Sequence, residues 1–257
     1  MRAIILAAGR GSRLSQSQGS ALPKCLLKFG GMSLLERHLR LLQAAGVDDI
    51  VMALGFEHQV IERELSRLAG LGLPPVQVFI NEHFTLGSVL TVHVVAAALR
   101  RGGDVLLMDA DVLYDARIMQ ALAAGAAPSN RILIDRDFEA GDEPVKVCVK
   151  DGVPVELRKQ LAPDLVYDRI GESVGFFRLD ERAARRFADL VAGYIDSGRA
   201  SLPHEETLRD LILERSQLFQ IVDVTGAPWV EIDFPADVER AARVVLPQLM
   251  SLAGVAA

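Results

Sequence analysis

The first 110 residues alternate short apolar runs with amphipathic stretches, and this alternation narrows the fold more than any other feature. Arg2 to Leu6, Ile50 to Leu54, Val76 to Asn81 and Val105 to Asp109 read as strands. Between them, a helix starts at Ser33 and two more are predicted over His58 to Ala69 and Ser88 to Arg100. Strands that are apolar almost throughout need cover on both faces, which a parallel sheet between helical layers provides. Ser33 and Glu36 predict a capping box, Leu34, Leu35, Leu39 and Leu42 an inward stripe, and Gly46 a stop. After about Asn130 the pattern changes. Val145 to Val149 and Val153 to Leu157 flank Asp151-Gly152, a hairpin signal. Val174 to Leu179, Phe219 to Val224 and Trp229 to Ile232 read as strands. Glu181 to Ser197, Glu205 to Arg215 and the chain from Ala236 onward read as helices, with Val244 to Ala257 a packed terminal helix. The expected fold is α/β and Rossmann-like. It has a mixed, mostly parallel sheet, helices on both faces and a small antiparallel insertion. It forms one domain over residues 1–257, with one part at 1–130 and another at 131–257.

The net charge is −6, which counts against a general nucleic-acid or anionic-membrane binder. A few local Lys and Arg can still make a phosphate site. Cys25 and Cys148 give neither a disulfide framework nor zinc spacing. The N-terminal apolar run is too short for a membrane span and lacks signal-peptide layout. A reducing, cytoplasmic setting is expected.

Three segments carry chemistry. Leu6-Ala7-Ala8-Gly9-Arg10-Gly11-Ser12-Arg13-Leu14, followed by Pro23-Lys24, puts small residues after a first strand, where backbone N–H groups can approach an anion. Arg13 and Lys24 add charge-assisted contacts. Gly11 leads to Ser12-Arg13, not the Gly-Lys-Ser/Thr of a P-loop, and Leu14 stands where a dinucleotide fingerprint needs a small residue. Asp109-Ala110-Asp111 ends an apolar run, where open α/β sheets bind ligands. Carboxylates there suit Mg²⁺ or, alternatively, cap the next helix. Asp233, after Trp229 to Ile232 and before Pro235, is a second metal candidate and equally an N-cap. Lys146 and Lys159 lie in or beside the hairpin, and Glu172 lies in Gly171-Glu172-Ser173-Val174-Gly175. The five histidines show no metal spacing and receive no role.

In combination and order, these segments resemble the nucleotidyltransferase (pyrophosphorylase) family over nearly the whole chain. That family includes sugar-1-phosphate nucleotidyltransferases and phosphocholine cytidylyltransferases. The resemblance implies a GT-A-like mixed sheet and transfer of NMP from an NTP to a phosphate or phosphonate, with release of pyrophosphate. It places Leu6, Ala7, Ala8, Gly9, Gly11, Ser12, Arg13, Lys24, Asn81, Gly87, Ser88 and Asp109 around the nucleotide. Asp111 and Asp233 would hold Mg²⁺. Glu172, Gly175 and Lys159 would face the acceptor. Lys24, Arg13, Lys146 and Lys159 would stabilise charge on the reacting phosphates, either hairpin lysine contacting the α-phosphate.

Asp109-Ala110-Asp111 and Asn81-x-x-Phe84-x-x-Gly87-Ser88 resemble the cytidylyltransferase branch. The stretch Ser15 to Leu22 departs from the sugar-transferring branch. CTP and a small phospho-alcohol or phosphonate are thus the expected substrates, with a sugar-1-phosphate or inositol-phosphate acceptor as the alternative. A nucleotide-sugar glycosyltransferase leaves the N-terminal segment without a purpose. A silent nucleotide-binding regulatory domain leaves the carboxylates without one.

Overall fold

The computed structural model describes residues 1–14, 22–125 and 130–250. Four parallel strands form its centre: β1 (Arg2–Ala7), β4 (Asp49–Leu54), β5 (Val76–Ile80) and β6 (Val105–Asp109), in the order β6-β1-β4-β5. Two short strands, β2 (Lys28–Phe29) and β3 (Met32–Ser33), make a separate antiparallel pair. β7 (Val112–Tyr114) pairs with β13 (Trp229–Glu231) in a second ribbon. The rest of the main sheet is antiparallel around β11 (Arg169–Leu179). That strand meets β9 (Lys146–Lys150) with its first half and β6 with its second. It also pairs with β8 (Asn130–Asp135). β10 (Val153–Arg158) closes one edge and β12 (Phe219–Asp223) runs parallel to β8.

Alternation along β1 shows why the sheet is covered twice. Ala3 and Ile5 enter one core, and Ile4 and Leu6 enter the other. The first core is closed by α1 (Leu34–Ala44), α2 (His58–Ala69) and α5 (Ala116–Ala123). The second is closed by α3 (Ser88–Val94), α4 (Ala96–Arg100), α6 (Glu181–Asp196) and α7 (His204–Glu214). Each fully buried Ile or Leu contributes about 1.5–3 kcal/mol relative to exposure. A third, smaller cluster joins Leu14, Phe29 and Leu34 to Val230 and Ile232 and to the C-terminal turns, including α8 (Pro235–Arg240). Among the described residues, no helix is long and apolar enough to cross a membrane.

Several boundaries differ from expectation. Only half of the capping box forms. Ser33 Oγ accepts from the Glu36 N–H at 3.1 Å, but the Glu36 carboxylate is drawn to Arg40 and Arg67. The predicted helix over Ser88 to Arg100 breaks at Val95 into α3 and α4. β11 starts five residues before Val174, and β2, β3, β7 and β8 were not predicted. From Ala241 the terminal helix continues as a wider π turn to Val245 and a tighter 3-10 turn to Gln248, and residues 251–257 lie outside the described residues. The stretch that departs from the sugar-transferring branch lies outside them too, from Ser15 to Ala21.

Candidate active site

The carboxyl ends of β1 and β6 lie side by side, with Leu6 in register with Asp109. The glycine-rich segment leaves β1 there and wraps a nook of about 80 Å³ lined by Leu6, Ala7, Gly9, Gly11, Lys24 and Asp111, among others. Ala8 anchors the segment from behind, its carbonyl accepting from the Phe56 N–H at 3.1 Å. Gly11 has φ +59°, and an added Cβ would come within 3.0 Å of the Lys24 stem, so a side chain there would displace the lysine. Ser12 opens the helical turn that carries Arg13.

Lys24 is the hub. Its ammonium donates to Asp111 Oδ2 at 2.9 Å and to Asp233 Oδ1 at 2.6 Å. Burial works against the ammonium, but the two carboxylates outweigh it and hold its pKa above lysine's ordinary range. The other Asp233 oxygen accepts from Arg13 at 3.0 Å. Burial raises the Asp233 pKa, yet Lys24 and Arg13 leave it below the usual value. Asp233 does not cap the last helix. Asp237 takes that task, accepting from the N–H groups of Asp233 and Phe234 at 2.9 and 2.6 Å. Asp115, not Asp109 or Asp111, caps α5. Both candidate ligands thus point into the site.

Sequence reasoning missed Glu231. Val230 and Ile232 are buried in the third cluster, so the period-two alternation of extended chain turns Trp229, Glu231 and Asp233 together toward the opposite side. One oxygen each from Asp111, Glu231 and Asp233 lies within 4.8 Å of the others. Glu231 is exposed to the open cleft, and the surrounding protein, with Asp111, Asp109 and Asp233 close by, pushes its pKa above the usual carboxylate range. Such crowding calls for a cation. Hard oxygen donors from the end of β13 and the two chain segments beside it are the type of set Mg²⁺ takes. The space between Asp111 and Asp233 already suits a positive charge, since the Lys24 ammonium lies there.

The Asp109-Ala110-Asp111 turn is pinned on three sides. Its Ala110 N–H donates to Leu6 O at 3.2 Å, and Asp111 O accepts from the Ile232 N–H at 3.0 Å. The Ala110 carbonyl faces His38 Nε2 at 3.2 Å, and His38 Nδ1 faces the Tyr114 hydroxyl at 3.2 Å. This pairing fixes the tautomer, with Nε2–H donating and Nδ1 accepting. His38 is fully buried, which lowers its pKa to about 4. A histidine among the leucines of a core-facing helix stripe was the sequence signal for this brace.

Asp109 is crowded from the other side by Gly175. Gly175 has φ +78°, and a Cβ there would sit 2.5 Å from Asp109 Oδ2. Burial drives the Asp109 pKa up to about 7. Asn81 is buried, its amide donating to Thr91 Oγ1 at 3.1 Å and accepting from the His83 N–H at 2.9 Å, so it shapes its own loop. Gly87 packs against the backbone of Ser201, and Ser88 Oγ accepts from the His204 N–H at 2.7 Å. His204 also pairs with Glu205 at 3.1 Å. Burial opposes charge on both, yet each holds the other ionised. The His204 pKa rises to about 9 and that of Glu205 falls to about 2.

The hairpin lysines divide. Lys146 donates to the carbonyls of Gly141, Pro144 and Lys159, so its ammonium braces the loop before β9. Lys159 pairs with Glu143 at 3.2 Å, and Glu143 pairs in turn with Arg13 at 3.0 Å. Lys159 thereby joins the Arg13, Lys24 and Asp233 constellation. Glu172 lines an adjoining cleft of about 490 Å³ that Glu231 and Asp233 share.

Residues 3–172 match the family described as MobA-like NTP transferase domain. The chain belongs to that family. Its relatives include the bifunctional IPC transferase and DIPP synthase of Thermococcus kodakarensis, 26% identical across 95% of this chain and 50% of that one. CMP-5'-(3-aminopropyl)phosphonate synthase of Streptomyces rubellomurinus is 24% identical across 94% of this chain and 38% of that one. The chain thus spans half the length or less of these two relatives. CTP:phosphoglutamine cytidylyltransferase of Campylobacter jejuni is 23% identical and matched over 93% of this chain and 98% of its own. Among solved structures, the inositol-1-phosphate CTP transferase of T. maritima has a TM-score of 0.73 at 19% identity, covering 97% of this chain and 98% of that one. This likeness establishes the α/β nucleotidyltransferase fold.

Proposed function

We propose that the protein transfers CMP from CTP to a small phosphate or phosphonate acceptor and releases pyrophosphate. The observation that carries this reading is the convergence of Lys24, Arg13, Asp111, Glu231 and Asp233 between the glycine-lined nook and the larger cleft. The choice of CTP is supported by relatives whose names specify CMP or CTP.

The reaction brings two anions together, and the residues answer that difficulty. An acceptor oxygen attacks the α-phosphorus in line; the new O–P bond forms as the bond to the β-phosphate bridging oxygen breaks, and pyrophosphate takes the electron pair. No protein nucleophile is required, so positioning and charge neutralisation carry the catalysis. The backbone from Ala7 to Gly11 cradles the nucleotide. Arg13 and Lys24 bring cations to the triphosphate, and Lys159 brings one to the side where the acceptor phosphate enters. His38 holds Asp111 in place through Ala110. Asp111, Glu231 and Asp233 would hold Mg²⁺, which when bound supplies further charge neutralisation to the phosphates.

The test is pyrophosphate release with each of four nucleoside triphosphates, Mg²⁺ and a panel of phosphorylated alcohols and phosphonates. Acceptor-dependent release with CTP is expected. If no triphosphate gives acceptor-dependent release, the proposal is wrong.

A further inference from the structure

The nook at the end of β1 holds about 80 Å³, whereas sites for whole small-molecule ligands run to about 300–1,000 Å³. It therefore takes phosphates, and the nucleoside of a bound triphosphate must lie outside it. Two directions lead out. One runs past Asp233 into the larger cleft, where the acceptor has to stand to attack the α-phosphorus in line. The other crosses the glycine-rich segment toward the loops that leave β4 and β5. Gly9 is exposed, and a Cβ added to it would meet nothing within 4 Å. That flank is open to the nucleoside.

The floor of this flank is rigid. The Phe56 N–H holds the Ala8 carbonyl at 3.1 Å. A Cβ at Gly55 would come within 2.6 Å of Phe84 Cβ and 2.8 Å of Ala8 O, so three chain segments meet there with no room for a side chain. Phe56 and Phe84 pack edge to face, with ring centroids 6.2 Å apart. Beside Phe56, Glu57 is held at φ +49°, a left-handed conformation that is strained for a residue with a side chain, and that side chain makes no capping bond in return. Strain of this kind persists where the surroundings enforce it, and it clusters at ligand sites. Arg10 stands over this floor. It is exposed between Gly9 and Gly11, and its guanidinium carbon lies 5.7 Å from the centre of the Phe56 ring. Arg13, Lys24 and Lys159 are each paired with carboxylates. Among the described residues, Arg10 has no carboxylate partner. A guanidinium is planar and stacks on aromatic faces, so with Phe56 on one side it has its other side to offer to a second π system.

Resting on the transfer reaction above, we propose that Arg10 binds the nucleobase: the base lies across Gly9 and stacks on the Arg10 guanidinium, which Phe56 and Phe84 back from the other side. The family resemblance gives Arg10 no role. The phosphates are served by Arg13 and Lys24, on the β6 side of the glycine-rich segment, which leaves Arg10 to the other end of the nucleotide. A stacked base is held by its π face, so this contact adds affinity for the nucleoside without choosing among bases.

Calorimetry with CTP, CMP and pyrophosphate at fixed free Mg²⁺ separates the two ends of the nucleotide. Arg10→Ala, at an exposed position with no ion pair to lose, should weaken CTP and CMP by about tenfold each and pyrophosphate by less than about twofold. Arg10→Lys keeps the charge but loses the plane, and should bind CTP within about twofold of Arg10→Ala. Phe56→Leu should weaken CTP about threefold, and the double variant should be no worse than Arg10→Ala alone. Equal losses for pyrophosphate and CTP, full CTP affinity in Arg10→Ala, recovery in Arg10→Lys, or losses that multiply in the double variant overturn the inference and leave CMP transfer standing. Should the wild type prefer another triphosphate, the same comparison runs with that nucleotide and its monophosphate. If the wild type binds no nucleoside triphosphate, the transfer reading falls and takes this inference with it.

Discussion

His38→Leu tests whether a buried histidine sets the position of the carboxylate turn. The substitution keeps the volume roughly constant but removes both ring nitrogens. The Ala110 carbonyl loses the donor at 3.2 Å and the Tyr114 hydroxyl loses its acceptor at 3.2 Å. Each hydrogen bond is worth about 1 kcal/mol net, and a buried polar group left without a partner costs about 1–3 kcal/mol. A loss of about 2–5 kcal/mol is expected at pH 7, which a domain of ordinary stability survives. The acid limb gives a second readout. Burial holds the folded pKa at about 4, below the ordinary 6.5. Below pH 6.5 the unfolded chain takes up a proton that the folded chain refuses. The stability contribution is therefore complete above 6.5 and falls away as pH drops toward 4, by up to about 3 kcal/mol. The leucine variant has no such term, so its gap to wild type should narrow by that amount. Urea denaturation at pH 7 and pH 4.5 measures both effects. Pyrophosphate release should show kcat falling more than the KM for CTP rises, because the displaced group is Asp111. A pH 7 loss below about 0.5 kcal/mol, or a gap unchanged at pH 4.5, would refute the brace.

Three further outcomes are expected. Asp111→Asn should reduce kcat/KM at least about 10³-fold while the protein still melts cooperatively, and near-normal pyrophosphate release would remove Asp111 from the metal set. Mg²⁺ at ten times its Kd should raise stability by about 1.4 kcal/mol and Tm by about 4 °C, and Asp233→Asn should erase the shift in the same scanning experiment; an equal shift in the variant places the ion elsewhere. Gly175→Ala forces a Cβ to within 2.5 Å of Asp109 Oδ2 in left-handed backbone and should cost on the order of 1–3 kcal/mol by denaturant titration, with an unchanged midpoint counting against the packing described.

The central strands were legible because each is nearly all apolar, as a parallel sheet covered on both faces requires. β8 was not, because Asn130, Arg131 and Asp135 break its pattern with polar groups that the fold pairs internally. Arg131 donates to Ala121 O at 2.7 Å, and Asp135 receives the Trp229 indole. The first half of β11 hid for a similar reason, since Arg169, Gly171, Glu172 and Ser173 interrupt its apolar run. At the site, Lys24, Asp111 and Asp233 could be named from the sequence because their chemistry was the argument. Glu231 was given no role because the reading stopped at Asp233 and did not ask which neighbours share its face. The pairing of Arg13 with Glu143, 130 positions away, depends on a contact between distant segments, which no local pattern records.

The ribbon of β7 and β13 does more than carry carboxylates. Lys24 and Asp233 are 209 positions apart in the chain, and drawing such distant points together costs roughly 5 kcal/mol in lost chain entropy. During synthesis the glycine-rich segment emerges long before Asp233. On the proposed reading the emerging chain lacks part of its carboxylate set until the late segment docks through Val230 and Ile232, and triphosphate turnover waits for that step.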